Sequence, residues 1–376
     1  MKLAIFTIVQ HSIHNKRYYG YAPYVNEMNL WGRYVDEMIV VGPKNETNTI
    51  DAIDTYYQHN QIQFIRVPNF NILSFWQVLR AVLVVPIIFF KCCYAMSQAD
   101  HIHLRCPGNI SLIACMAQIF FPKKAKSTKY AGNWDPNSNQ PWSYRLQQAI
   151  LRNTFLTKNM KVLVYGEWPN ETKNIHPFIS ATYTEAEKVA FKKRDYSKPL
   201  SFVFAGALVV GKRPLLTIQI IERLHQKGLP VVLHLYGDGP LMPELQTYVK
   251  EQNLETIVFL YGNQNKTVVK ASLIDAHFNI LPSKSEGWPK AVAEGMFFGC
   301  IPIATSVSCV SWMLGEGTRG ILIEPDLDQA VNKISKTLQT SDLDAMAEAA
   351  LVWSQQYTFD RLEADIKAVL EGRFES

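Results

Sequence analysis

At 376 residues the chain is longer than one ordinary domain, and two domains of about 150–200 residues are the default expectation. Its 48% apolar content supplies two cores, and its net charge of +5 is unevenly spread: residues 1–200 carry 23 Lys/Arg against 13 Asp/Glu, the remainder 15 against 20. A basic half points to nucleic acid, anionic lipid or an anionic substrate, but no helix-turn-helix, zinc or RNP pattern supports nucleic acid as a partner.

In chain order, Lys2 to Ile8 is an apolar run too short for a signal-peptide core and reads as a first buried strand. Residues 10–24 form a polar, aromatic stretch expected to be loop, and a helix follows to about Tyr34. Met38 to Val41, Gln63 to Val67, Ile102 to Leu104, Ser127 to Tyr130 and Val162 to Tyr165 continue as short strands with helical runs between them. Such alternation implies a parallel sheet covered on both faces, with ligands bound outside the carboxyl ends of the strands. Residues 74–96 are very apolar, but Arg80, Pro86 and Lys91 interrupt them, so the uncharged part falls short of a membrane span of ~20 residues. A buried helix and a segment partly inserted at a membrane surface both fit, and Lys123, Lys124, Lys126 and Lys129 would favour an anionic leaflet if they formed a surface patch. His101 and His103 point the same way from one strand, as a metal pair or as satisfied core histidines. Tyr130 to Asp135 ends a strand in a glycine turn, which should open onto an interdomain cleft. Six cysteines without zinc spacing, mostly in apolar runs, read as reduced core residues of a cytoplasmic protein.

Residues 166–199, rich in Pro, Asn and charge, mark a boundary, and the alternation then restarts. Ser201 to Ala205 is a strand, Gly206 begins a loop, and Pro214 opens a helix to about Gln226, so Lys212 lies beside a helix N-terminus suited to phosphate. Strands Val231 to Tyr236, Thr256 to Tyr261, Ala276 to Leu281, Ile301 to Ala304 and Gly320 to Ile323 complete a second sheet. Gly237 and Gly239 lack the third glycine of a dinucleotide fingerprint. Between Leu281 and Ala304 a strand, a loop and a helix succeed one another, with Pro289 expected at the first helical position and Gly299 closing the helix. Glu286 lies in the loop and Glu294 inside the helix, either as partners for sugar hydroxyls or as a dipole cap and a solvated residue. Asp326/Asp328 and Asp342/Asp344 have D-x-D spacing but sit where helices begin, which favours capping. The last run is an amphipathic helix capped near Thr358 with Gly372 after it.

Glu286 and Glu294 with seven residues between them, the preceding Ser285, then Gly299 and Pro302, together resemble the E-x7-E signature of family 4 glycosyltransferases. Gly206 with Lys212, the Val231–Pro240 segment and the closing helix extend the resemblance over most of residues 199–376. It implies an α/β architecture of two Rossmann-like domains facing a cleft (GT-B). Residues 1–195 would bind the acceptor, 196–355 the donor, and 356–376 would form a helix packing back on the first domain. It also implies a retaining hexosyltransferase that needs no metal or other cofactor, takes a nucleotide sugar, and elongates a lipid-linked glycan in surface polysaccharide synthesis. Such an enzyme would be cytoplasmic, with peripheral contact at the inner membrane. Carried over, Glu294 meets the donor ribose; Glu286, Gly287, Trp288 and Pro289 lie at the donor sugar; Gly206, Lys212 and Arg213 lie at the diphosphate. Glu286, Lys212 and Asn133 are the catalytic candidates, and His103, Arg105, Gly132 and Asn133 the acceptor-side ones. Two positions depart from the family pattern: Ala207 replaces an arginine, and Ala131-Gly132-Asn133 replaces a histidine. A catalytically silent sugar- or partner-binding module, or a nucleotide-sugar epimerase, is the alternative reading.

Overall fold

The structure is a computed structural model that describes residues 1–51, 53–70 and 75–374, with side chains in the Phe75 helix described from residue 82 onward. Ser74 and the Arg80 side chain, part of the apolar segment weighed above, lie outside the described residues. Two compact units emerge, one comprising Met1–Phe178 with the segment from Glu363 onward, the other Ile179–Leu362.

The first unit contains strands β1 (Lys2–Phe6), β2 (Ser12–His14), β3 (Arg17–Tyr21), β4 (Glu37–Pro43), β5 (Asp54–Tyr56), β6 (Ile62–Val67), β7 (His101–Cys106), β8 (Ala125–Tyr130), β9 (Met160–Tyr165) and β10 (Ile175–Phe178). Helices α1 (Ala22–Gly32), α2 (Phe75–Gln98), α3 (Asn109–Ala117) and α4 (Trp142–Arg152) alternate with them. Seven strands form a parallel sheet in the order β10-β9-β8-β7-β1-β4-β6. Leu3 to Phe6 are fully buried in succession, as expected of a parallel strand covered on both faces. Residues 10–24 are not loop: β2 and β3 pair antiparallel, and β3 pairs with β5, in a small separate sheet. Aromatic contacts hold it, with Tyr18 stacked on Phe64 (5.4 Å) and Tyr19 against Tyr56 (5.7 Å).

The second unit is built from β11 (Leu200–Ala205), α5 (Pro214–Gln226), β12 (Val231–Tyr236), α6 (Met242–Glu251), β13 (Val258–Leu260), α7 (Lys266–Asp275), β14 (Phe278–Leu281), α8 (Lys290–Phe297), β15 (Ile301–Thr305), α9 (Val310–Met313), β16 (Ile321–Ile323), α10 (Leu327–Thr340) and α11 (Leu343–Ser354). Its six strands run parallel in the order β13-β12-β11-β14-β15-β16. The chain winds from β11 outward through β12 and β13, then returns to β14 on the other side of β11, so the winding reverses between β11 and β14. The carboxyl end of such a reversal is where doubly wound sheets bind ligands. Helix α12 (Phe359–Leu370) starts in the second unit and ends in the first.

Among the described residues no helix is long and apolar enough to cross a membrane, and the six cysteines are all free. Asp326 and Asp342 accept hydrogen bonds from Gln329 N (2.9 Å) and Ala345 N (3.0 Å), so each D-x-D pair begins with a helix cap.

Three buried histidines give the first unit an acid-sensitive core. Burial holds His11 and His101 down to about 4, and holds His103 well below its ordinary value. Between pH 6.5 and 4 the unfolded chain therefore binds protons that the folded chain does not, and stability rises with pH across that window. At pH 5 the expected loss is roughly 2 kcal/mol per histidine. A urea midpoint unchanged between pH 7 and pH 5 would contradict this.

Candidate active site

Three loops leave the carboxyl ends of neighbouring strands β12, β11 and β14. After β12, Gly237 (φ +135°) lies so near the preceding loop that a Cβ there would sit 1.9 Å from Gly206 O. Only glycine allows these two turns to close on each other. Gly206 N in turn donates to Tyr236 O (2.9 Å). The loop after β11 runs through a short 3₁₀ turn, Val210–Lys212, into α5, with Arg213 left-handed (φ +51°) and Pro214 opening the helix. Arg213 Nη1 donates to Pro282 O (3.0 Å), and Lys284 N donates to Gly211 O (2.7 Å), which ties the β11 and β14 loops together.

Lys212 Nζ meets Glu286 Oε1 at 2.5 Å. The carboxylate is buried and the ammonium half-exposed, so the lysine remains reachable by a ligand while the glutamate orients it. Thr305 Oγ1 donates to Ser283 O (2.5 Å), and the buried Ser283 hydroxyl has no partner among the described residues. Gly287 O accepts from Cys309 Sγ (3.1 Å) and Ser308 Oγ (3.4 Å), which fixes the turn before α8. The Trp288 ring is buried against Trp312 (6.4 Å), Trp353 (6.3 Å) and Tyr357 (5.6 Å). It therefore offers a ligand its backbone rather than its ring.

Pro289 is the N-cap of α8 and not its first helical residue, because its ψ of 85° is outside the helical range. Its carbonyl accepts from Val292 N (3.0 Å) and Ala293 N (3.1 Å), and the N-terminal N–H groups ahead of them lack helical acceptors, as at any helix start. At the other end Gly299 (φ +77°) closes the helix as expected, with Gly299 N on Met296 O and Cys300 N on Gly295 O. Helix α8 packs tightly on β14: a Cβ on Gly295 would lie 2.5 Å from Asn279 Cβ.

Glu294 is half-buried on this helix. Burial raises its carboxyl above the ordinary value, opposed by a Thr182 side-chain hydrogen bond and by Lys290 and Lys266. Burial, then Glu294 and Glu187, pushes the neighbouring Tyr183 hydroxyl up. A carboxylate short of hydrogen-bond donors is one that a ligand's hydroxyls would relieve.

The acceptor-side candidates fare differently. His103 is fully buried, bonded through Nδ1 to Ser127 Oγ (2.8 Å) and packed on Trp31 (4.1 Å), so it is a core histidine with no surface to offer a ligand. His101 bonds the same serine (2.8 Å), and no group of three or more His, Cys, Asp or Glu suited to a metal occurs among the described residues. Arg105 is mostly buried and engaged by Glu27 (2.7 Å), whose second oxygen holds Lys129 (2.9 Å). Lys129 and Lys126 are thus interior, and Lys124 donates to Ala99 O (2.6 Å) at the end of α2, so the four lysines form no surface patch. Asn133 Oδ1 accepts from Asp135 N (2.9 Å) within its own turn, and a Cβ on Gly132 would press on Pro107 at 3.0 Å. The Glu27–Arg105–Lys129 cluster left no signal in the sequence, because its members lie 78 and 102 residues apart.

Two parallel Rossmann-like sheets, the second carrying a lysine-carboxylate pair at its winding reversal, define a glycosyltransferase fold of the GT-B type. Solved structures agree: the lipopolysaccharide outer core galactosyltransferase WaaB matches with a TM-score of 0.70 at 15% identity over 99% of this chain and 100% of that one. Anabaena Alr3699/HepE in complex with UDP matches with a TM-score of 0.67 at 13% identity over 99% of each. Residues 185–351 match the sequence model of the family glycosyl transferases group 1. The UDP-Gal:alpha-D-GlcNAc-diphosphoundecaprenol alpha-1,3-galactosyltransferase of Escherichia coli is 29% identical over 170 residues, 43% of this chain and 42% of that one. The chain spans about half the length of two other curated relatives that it matches, 51% and 54%.

Proposed function

We propose that the chain is a retaining, metal-independent hexosyltransferase that moves a sugar from a nucleotide-sugar donor to a lipid-linked glycan in bacterial surface polysaccharide synthesis. The observation that carries the reading is the Lys212–Glu286 pair at the winding reversal, with Glu294 on the helix that follows. The UDP bound to HepE supports a nucleotide donor, and the diphosphoundecaprenol acceptor named for the E. coli relative supports a lipid-linked one.

In this reading the leaving nucleoside diphosphate gathers negative charge as the glycosidic bond breaks, and Lys212 with the N-terminus of α5 supplies the opposing field. Glu286 holds Lys212 until donor arrives and then accepts from hydroxyls of the donor sugar. Retention follows from attack on the face the diphosphate leaves, with a diphosphate oxygen taking the acceptor proton. Asp326 and Asp342, the first residue of each pair with D-x-D spacing, serve as helix caps, and this reading assigns the positive field to side chains.

Glu294→Ala tests the donor site. Two charge-assisted hydrogen bonds to ribose hydroxyls are worth about 1.5–3 kcal/mol each, so donor affinity should fall more than about a hundredfold. Wild-type affinity by calorimetry would overturn the assignment. Ala207, where the family has arginine, favours the alternative of a silent sugar-binding module. Slow donor hydrolysis by the purified chain would rule that out.

A lipid-linked acceptor would call for an enzyme at a membrane surface, and the exposed face of α2 supports that reading. Leu83, Ile87, Phe90 and Tyr94 follow helical spacing and are exposed, Leu83 at 73% and Phe90 at 70%, while Val84, Ile88 and Cys92 behind them are buried. Phe120, 69% exposed, extends the stripe through Phe89 (5.9 Å). An exposed apolar stripe of this kind would suit a bilayer interface. Leu83→Gln with Phe90→Gln should abolish flotation with lipid vesicles; unchanged flotation would reject α2 as the contact.

A further inference from the structure

Lys290, the first residue of α8, is placed against the local rules of helix stability. A cation in the first turn meets the positive end of the helix dipole, and α8 carries no acid in that turn to offset it. Glu294 follows four residues later on the same side of the helix, but lysine ahead of glutamate is the weaker order for such a pair. Burial raises the Glu294 carboxyl, and Lys290 is one of the groups that oppose this, yet among the described residues no ion pair joins the two. Four other cations of this unit are committed: Lys212 to Glu286 (2.5 Å), Arg213 to Pro282 O (3.0 Å), Lys266 to Thr182 O (2.8 Å) and Lys270 to Glu187 (3.0 Å). Lys290 differs from them. It is half-buried, and among the described residues no hydrogen bond, ion pair or aromatic ring engages its ammonium.

We infer that Lys290 is the second diphosphate-binding cation of the donor site, in the part of the arginine that Ala207 replaces. The assignment rests on the donor-site reading given above. Lys212 and Glu286 cancel in charge, and Glu294 adds a further carboxylate, so without another cation the site opposes an incoming diphosphate. A long side chain in the first turn of a helix leans back past the helix start. That lean carries the Lys290 ammonium toward the loop of Glu286 to Pro289, which Lys212 reaches from the β11 side. A diphosphate between them would meet one lysine from each side of the winding reversal, each making a charge-assisted hydrogen bond. The spacing also suits one nucleotide. Four residues of helix rise about 6 Å, comparable with the step from a ribose to its own phosphates, so Glu294 at the ribose puts Lys290 at the diphosphate.

Calorimetric titration of the full chain with inorganic pyrophosphate at low salt reads the diphosphate contacts without base or sugar. Wild type should bind, and Lys290→Gln should lower the affinity at least about tenfold. Lys290→Arg should lose less than the glutamine variant, because the charge stays. Without ligand, Lys290→Gln should melt at the wild-type temperature or above it, since the repulsion from the helix dipole is gone. A lower melting temperature would mean that the ammonium already has a partner in the protein, and overturns the proposal. Unchanged pyrophosphate affinity in Lys290→Gln overturns it as well. Lys212→Ala separates this failure from that of the donor site. Pyrophosphate binding weakened by Lys212→Ala but not by Lys290→Gln removes Lys290 and leaves the donor reading standing. Binding weakened by neither change, or absent in wild type, takes down both.

Discussion

Lys212→Ala should lower kcat by about 10²–10³ with a smaller change in donor KM, because its charge matters most when the diphosphate departs. The structure sharpens this expectation. Lys212 is held by Glu286 at 2.5 Å, and Arg213, the other cation of the loop, donates to Pro282 O and packs the β14 loop instead. No second side chain of this loop is poised to take over, and Ala207 stands where the family carries one. Removing the lysine also strands the Glu286 carboxylate, 8% exposed, beside an incoming diphosphate of the same sign. Lys212→Arg, which keeps the charge but not the geometry, should recover part of the rate. Donor turnover within about threefold of wild type for the alanine variant would remove Lys212 from the chemistry.

Glu27→Ala should be the most destabilising single change in the first unit, at about 3–5 kcal/mol. One carboxylate there serves two cations, Arg105 at 2.7 Å and Lys129 at 2.9 Å, with side-chain exposures of 9%, 12% and 1%. Truncating it leaves both positive groups in the interior. That is a large share of a total stability of about 5–15 kcal/mol. Lys129 gives the effect a pH signature. Burial lowers its ammonium to about 8 against the partial opposition of Glu27, so the unfolded chain binds the extra proton between pH 8 and 10.5 and stability rises with pH there. In Glu27→Ala the lysine loses its proton more readily, so the deficit should shrink as pH is raised to 9. The double change Glu27→Ala with Lys129→Met should cost less than the sum of the two single changes. Urea midpoints at pH 7 and 9 read all of this, and additive costs would mean that the cluster is not a coupled unit.

The strands of both parallel sheets were legible because parallel strands covered on two faces are apolar runs, and helices between them carry their own stops; the exception is the half-buried edge strand β10, which falls inside the stretch read as a boundary. Val231–Tyr236 and Pro214–Gln226 have the bounds the sequence indicated. The β2–β3–β5 sheet was not legible. Its strands are polar and aromatic, and β5 lies more than thirty residues beyond its partner, so no local periodicity marks them. The lysines at 123–129 misled for a related reason. Charge in a sequence reads as surface, yet Lys126 and Lys129 extend inward to carbonyls and to Glu27.

The sequence by itself determined two α/β units, the loop carrying Glu286, the helix carrying Glu294, and the lysine ahead of Pro214, because each is a local pattern of apolar period, turn residues and spacing. Only the tertiary structure decided that Lys212 and Glu286, 74 residues apart, share one hydrogen bond, and that Trp288 turns into an aromatic cluster. It alone withdrew His103 into the core. The reason is physical: a winding reversal brings together strand ends that are remote in the chain, and burial then sets which charges keep a partner and which remain open to a ligand.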